Sequence, residues 1–391
     1  MNTRISLTSV FIILMFLIAS CSKNDTKSFQ AVNTKFSGRI DLNNLANYAN
    51  QKKPAYITRD NIGSNIISDA KATIGRILFY DKQLSIDNSI SCASCHKQNF
   101  AFGDTAIASK GVAGGLTTRH SMRLANARFG NETKFFWDER ALSLENQTTQ
   151  PIQNHVEMGF SGQNGRPNLS TLLTKLKGLD YYNELFKFAY GDTAITETRM
   201  QECLAQFVRS IQSFDSKYDA GRVLVQNDNQ PFPNFTTQEN QGKDLFLTPP
   251  VFDASGSRIA GGLGCQGCHA APEFDIDPNT GNNGVIGVLN APGIDINITR
   301  APSLRNLMGI NGNPNTPMMH TGNFETLQNV IGHYGRINLA NGNTRLDPRL
   351  RPNGFGQQLN LTATEVQSVV AFIKTLTGTA VYTDLKWSDP F

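Results

Sequence analysis

The chain has 391 residues, 39% of them hydrophobic and 17% charged, with 33 glycines, 16 prolines and a formal charge of +4. That length suits two domains rather than one, and frequent glycine with little charge argues against a coiled coil or a long disordered tail. No basic run accompanies the small positive charge, so a nucleic-acid role has no electrostatic footprint, and a helical membrane enzyme is excluded because the one long apolar stretch is N-terminal.

That stretch holds Arg4, an apolar run from Val10 to Ile18 and then Ala19-Ser20-Cys21. It is shorter than the about 20 apolar residues of a spanning helix and ends on small residues, as a cleaved signal does. Ile18-Ala19-Ser20-Cys21 resembles a bacterial lipobox, which predicts a lipoprotein signal over residues 1–20 and lipid on Cys21. A plain signal peptide that carries a cysteine is the alternative. Polar residues 22–27 suit a tether, and residues 21–60 are read as tether plus N-terminal segment. The protein is then exported to the bacterial cell envelope, on the periplasmic side or at the outer-membrane surface, and meets the membrane through its lipid alone.

The first strong helix signal places Ala70, Ile74, Ile77 and Leu78 on one face and contains Gly75-Arg76-Ile77-Leu78-Phe79. It leads into Cys92-Ala93-Ser94-Cys95-His96. A second helical stripe runs through Met200, Cys203, Leu204, Phe207, Val208, Ile211 and Phe214, where Cys203 reads as a small core residue. The pattern then repeats. A capping box from Thr236 to Glu239 opens a helix holding Gly242-Lys243-Asp244-Leu245-Phe246. Cys265-Gln266-Gly267-Cys268-His269 follows. After the long Gly/Asn/Pro-rich stretch 281–322, a capping box from Thr362 to Glu365 starts a helix with Val366, Val369, Val370, Ile373 and Leu376, ending at Gly378.

C-x-x-C-H is the attachment signature of c-type haem: two thiols on one turn add across the vinyl groups and the next residue ligates the iron. Two such pentapeptides predict two covalent haem c groups held by Cys92, Cys95, His96 and by Cys265, Cys268, His269. The rival is one tetrahedral zinc on four thiolates, which the distance between the pairs and the two histidines disfavour. One helix before each haem and one long amphipathic helix after it is how a cytochrome c wraps its cofactor. The expected class is therefore all-α, with two cytochrome-c-like domains over residues 61–220 and 221–391, long loops and no convincing strand set.

From about Gly75 to Gly378 the chain resembles the bacterial di-haem cytochrome c peroxidase family, which includes the MauG-type maturases. The marks are Leu84-Ser85, Phe136-Trp137-Asp138-Glu139-Arg140, Leu144-Glu145-Asn146-Gln147, Pro151-Ile152 and Glu157-Met158-Gly159. Further on stand Ala301-Pro302-Ser303-Leu304-Arg305-Asn306, Pro317-Met318-Met319-His320-Thr321-Gly322 and the Leu361-Thr362 helix start. The resemblance implies a peroxidatic first domain and an electron-transfer second domain. It makes Glu157 the distal carboxylate that moves a proton between peroxide oxygens, Gln147 its hydrogen-bonding companion and Trp137 the indole between the haems.

The departures are equally specific. High-potential members ligate the second iron with Met, and the matching position here is Tyr334, the residue type of the maturase branch. A phenolate favours ferric iron where Met raises the potential; Met318, Met319 and His333 remain rivals, although His333 points about 100° away from Tyr334 on an ideal helix. Many members cap the first haem with a loop histidine, and residues 109–115 contain none. His120 takes the place of an Asn near the family's interhaem calcium, which makes it a calcium-site variant, a distal ligand or a loop residue and puts calcium in question. His155 and His320 read as structural. The implied activity is reduction of hydrogen peroxide with electrons from a small c-type cytochrome or another exported donor, in a chain whose relatives often form homodimers. A maturase acting on a partner protein and a non-enzymatic di-haem electron carrier are the alternatives.

Overall fold

The computed structural model describes residues 28–131, 133–276 and 278–391. The expected signal and Cys21 lie outside the described residues. Helix α1 (Gln30–Phe36) turns Val32 and Phe36 inward. It lacks a side-chain cap of its own, and the Glu184 carboxylate supplies one by accepting the Ala31 and Val32 N–H groups at 3.1 and 3.0 Å. Helix α2 (Asp69–Tyr80) starts at Ser68, whose hydroxyl accepts from the Lys71 N–H. The first cysteine motif forms the single turn α3 (Cys92–Cys95), boxed by Ser91 and Ser94.

Short helices α4 (Leu144–Thr148) and α5 (Gln150–Gln153) precede α6 (Leu169–Lys177), α7 (Asp180–Tyr190) and α8 (Glu197–Ser210). The second half holds α9 (Lys217–Arg222), α10 (Thr237–Leu247), α11 (Leu327–Gly335) and α12 (Ala363–Lys374), and α13 (Ala380–Thr383) ends the series.

The repeated glycine explains how each half closes. A Cβ on Gly75 of α2 would lie 2.0 Å from the Cys203 carbonyl oxygen of α8, and one on Gly242 of α10 would lie 1.8 Å from that of Ser368 on α12. Both helix pairs therefore cross at a glycine because no side chain fits between the backbones. Cys203, fully buried at the first crossing, is a core residue.

One apolar core gathers residues from Phe29 to Ile211, and a second runs from Tyr218 to Leu376. The chain end then returns to the first: Val381, Tyr382 and Trp387 pack there, and the Trp387 indole donates to Ser210 Oγ at 3.2 Å. The N-terminal segment joins the same core through Phe29, Val32, Phe36 and Tyr48.

The molecule is mostly helical, with 37% helix and 8% strand. The strands missed in the sequence are short: β1 (Pro250–Phe252) pairs antiparallel with β2 (Arg258–Gly261), and β3 (His269–Ala270) with β4 (Asp275–Ile276). Such lengths show no alternation to read. Turn chemistry holds the first hairpin, where Asp253 Oδ1 accepts from Ser255 and Ser257 and Gly256 takes φ +80°. No described helix is long and apolar enough to cross a membrane.

Candidate functional site

Each cysteine motif opens onto its own cavity. The first, about 730 Å³, is lined by Cys92, Cys95 and His96 on one side and by Gln147, Pro151 and Glu157 on another. The second, about 940 Å³, is lined by Cys268, His269, Met318, Met319 and Tyr334 among others. None of the five described cysteines is in a disulfide. Among the described residues no group of three or more His, Cys, Asp or Glu could hold a metal ion, so the four-thiolate zinc site weighed from the sequence does not form.

The two histidines are held alike. His96 Nδ1 lies 3.0 Å from the Phe102 carbonyl and His269 Nδ1 lies 3.3 Å from that of Phe274. A backbone acceptor fixes the proton on Nδ1 and leaves Nε2 for a metal. Burial lowers the basicity of both rings, His269 to about 4, so each stays the neutral imidazole that a metal requires. Burial likewise pushes the thiols up, Cys92 and Cys265 to about 12 and Cys95 to about 11. Thiol pairs, a neutral imidazole and a roomy cavity are what a covalently attached haem would use, and both motifs fit it.

The far wall of the first cavity is built by turns. Asn154 Oδ1 accepts from Val156 and Glu157 N–H at 2.9 and 3.1 Å, and the Glu157 carbonyl accepts from Val112 at 3.0 Å. Gly111 permits this approach, since a Cβ there would sit 2.0 Å from the Val156 carbonyl oxygen. The histidine-free loop 109–115 thus props up Glu157. Burial raises the Glu157 pKa against a weak opposing effect of Arg140. Among the described residues no ion pair neutralises it. Gln147, on α4, shares the wall.

In the second cavity α11 presents Tyr334, with His333 turned elsewhere. Asn283 Nδ2 donates to Tyr334 Oη at 3.0 Å and lies 3.2 Å from Met319 Sδ, while the Asn283 carbonyl sits 2.8 Å from His333 Nε2. Burial keeps the Tyr334 phenol well above its ordinary pKa. Met318 and Met319 also line the cavity. Asn283, which organises three of the four candidate ligands, went unnoticed in the sequence because it lies in an aperiodic loop.

Between the cavities lies a third space of about 1110 Å³, bordered by Trp137, His120, Arg123, Gln147 and Glu157. Trp137 also lines the second cavity. Its indole donates to the His120 carbonyl at 2.7 Å, and its own carbonyl accepts from Thr299 and Arg300 at 2.9 and 3.1 Å. It therefore pins the two halves together. His120 Nδ1 lies 3.0 Å from the Ala106 carbonyl, and its buried Nε2 has no hydrogen-bond partner among the described residues. His320 packs edge-on to Trp137 at 6.1 Å with Nε2 at the Gly287 carbonyl, and His155 is tied to Ser161 Oγ.

Residues 69–228 match the family described as di-haem cytochrome c peroxidase. The chain is similar to both branches, the cytochrome c peroxidases and the MauG proteins. The methylamine utilization protein MauG of Methylophilus methylotrophus is 27% identical over 325 residues, covering 81% of this chain and 85% of the relative. The cytochrome c551 peroxidase of Nitrosomonas europaea is also 27% identical over 325 residues, covering 78% and 80%. Among solved structures, a MauG-like protein associated with microbial copper homeostasis superposes with a TM-score of 0.65 at 27% identity, covering 87% of this chain and 99% of that one. A di-haem peroxidase family implies two c-type haems, and the two cavities give this chain a donor set for each.

Proposed function

We propose that the protein is an exported di-haem peroxidase reducing hydrogen peroxide to two waters with two electrons and two protons. The observation that carries it is Glu157, a half-buried carboxyl on the wall of the His96 cavity that meets no ion-pair partner among the described residues. A haem bound by Cys92, Cys95 and His96 would supply the open iron position and the redox change there. Glu157 takes the proton from one peroxide oxygen and returns it to the other, the task of a positioned general acid–base. Gln147 orients the peroxide through its amide. Trp137, tied at both ends, carries electrons between the centres, and Asn283 holds Tyr334 in the cavity where a haem on Cys265, Cys268 and His269 would take it as a ligand. Residues 61–220 and 221–391 act as peroxidatic and electron-transfer domains, each wrapped like a cytochrome c. A lipid on Cys21 anchors the protein in the cell envelope, and a small exported cytochrome supplies electrons.

Glu157→Gln tests this reading: peroxidase kcat should fall by about 10² or more while both haems stay bound. Activity within a few-fold of wild type would reject Glu157 as the proton carrier.

Tyr334 supports a second reading, a MauG-like oxidase of a partner protein. A phenolate at the second iron lowers its potential, which disfavours reduction by a small cytochrome. Turnover with a panel of reduced donors separates the two: efficient turnover with a cytochrome supports the peroxidase, and none supports the maturase. The electron-carrier alternative gives Glu157 and Gln147 nothing to do.

A further inference from the structure

Two phenols share one carboxylate beside the first cysteine motif. Asp81 follows α2, and its Oδ1 accepts the Gln83 N–H at 2.8 Å. Its Oδ2 accepts from Tyr181 Oη and Tyr182 Oη, both at 2.8 Å. The two rings are neighbours on α7, 4.6 Å apart between centroids and tilted by 36°. Tyr182 is wholly buried, Asp81 is 4% exposed and Tyr181 is 8% exposed. Tyr182 packs in the core that Cys92 borders. The Cys92 sulfur is among the groups that act on its phenol, after burial, Asp81 and Tyr181.

Packing alone does not call for this arrangement. Phenylalanines would fill the same space, and a buried carboxylate is costly. Among the described residues Asp81 has no ion-pair partner; Lys175, which feels its charge, donates instead to the Gln83 carbonyl at 2.7 Å. The chemistry that does need it is phenol oxidation, in which the proton must leave with the electron to a base already hydrogen-bonded. Trp137 lacks such a base, because its indole N–H meets a backbone carbonyl. At the outer end, Lys35 Nζ stands 5.5 Å over the Tyr181 ring. A cation over the ring opposes a radical cation there and favours a neutral, deprotonated radical.

We propose that Tyr182, Asp81 and Tyr181 form a redox relay that draws an oxidising equivalent from the first haem, once peroxide has oxidised it, towards the surface. The proposal rests on the peroxide reading above. Tyr182 gives one electron to the oxidised centre and its phenolic proton to Asp81 Oδ2, leaving a neutral phenoxyl radical and a carboxylic acid. Tyr181 then gives an electron to Tyr182 and its proton to Asp81, as Asp81 hands the first proton back to Tyr182. The radical moves outward by one ring and no charge is left behind. Without a donor, this route spares the haem from its own oxidant.

The test uses the holoprotein with both haems, one equivalent of hydrogen peroxide and no electron donor, freeze-quenched for electron paramagnetic resonance. A radical signal that narrows when the protein carries ring-deuterated tyrosine is expected. Tyr182→Phe should abolish it. Asp81→Asn, which keeps an oxygen acceptor but cannot take the proton, should cut its yield at least several-fold, with haem content and melting temperature checked in both variants. Repeated peroxide additions should inactivate Tyr182→Phe several-fold faster than wild type. A haem response to peroxide with no tyrosine-dependent signal, or a signal that survives in Tyr182→Phe, overturns the relay alone. No haem response at all overturns the relay and the peroxide reading together.

Discussion

The two haem cavities are built by one recipe and finished differently. In each, a helix crossing at glycine, a C-x-x-C-H motif and a backbone carbonyl on the histidine Nδ1 recur, the motif folding as an α turn in the first half and as a 3-10 turn in the second. The opposite walls share nothing. Glu157 and Gln147 face the first cavity, and an Asn283-held tyrosine beside two methionines faces the second. The duplicated parts set where a haem can sit, and the unduplicated wall sets what its iron can do. One wall can hold and move a proton. The other offers side chains that can fill the coordination position.

The largest effect should come from breaking one recipe and leaving the other. Cys92→Ala with Cys95→Ala should leave one covalent haem by pyridine haemochrome and abolish peroxide turnover; the corresponding change at Cys265 and Cys268 should also leave one. Two covalent haems in either variant would break the assignment.

The crossings come next. Gly75→Ala and Gly242→Ala place a methyl within 2.0 and 1.8 Å of a carbonyl oxygen, an overpacking that costs about 1–3 kcal/mol or more. Both should lower the melting temperature, and an unchanged melt in either would show that its helices have room to part.

A subtler difference lies in pH. Burial favours the neutral form of Glu157, so its carboxylate is lost as pH falls through a value raised from that of an ordinary glutamate. If the carboxylate accepts the peroxide proton, kcat/KM falls in that window, and the residual activity of Glu157→Gln is flat across it. An acid limb that persists in the variant belongs to another group.

The smallest change sharpens the second wall. Tyr334→Phe should turn the second haem five-coordinate and high-spin, while Met318→Leu and Met319→Leu leave its spectrum alone. A thioether-to-iron charge-transfer band in the wild type would transfer the ligand role to a methionine.

Much of this contrast was legible in the sequence. The paired pentapeptides, the repeated G-x-x-L-F and the capping boxes are local signals, and the elements they mark appear where the patterns lie. Tyr334 rather than His333 faces the cavity, as the helical period requires. Three things escaped: Asn283, the return of Trp387 to the first core, and the Asp81 carboxylate shared by Tyr181 and Tyr182. Each is a contact between residues from about 50 to nearly 180 positions apart, with no period or motif to announce it.

The central claim is that one cavity leaves its iron open and the other closes it. The resting ferric holoprotein should show, by electron paramagnetic resonance, one high-spin and one low-spin haem in equal amounts, with added peroxide consuming the high-spin signal first. Two low-spin haems in the resting state, unchanged by peroxide, would contradict the account.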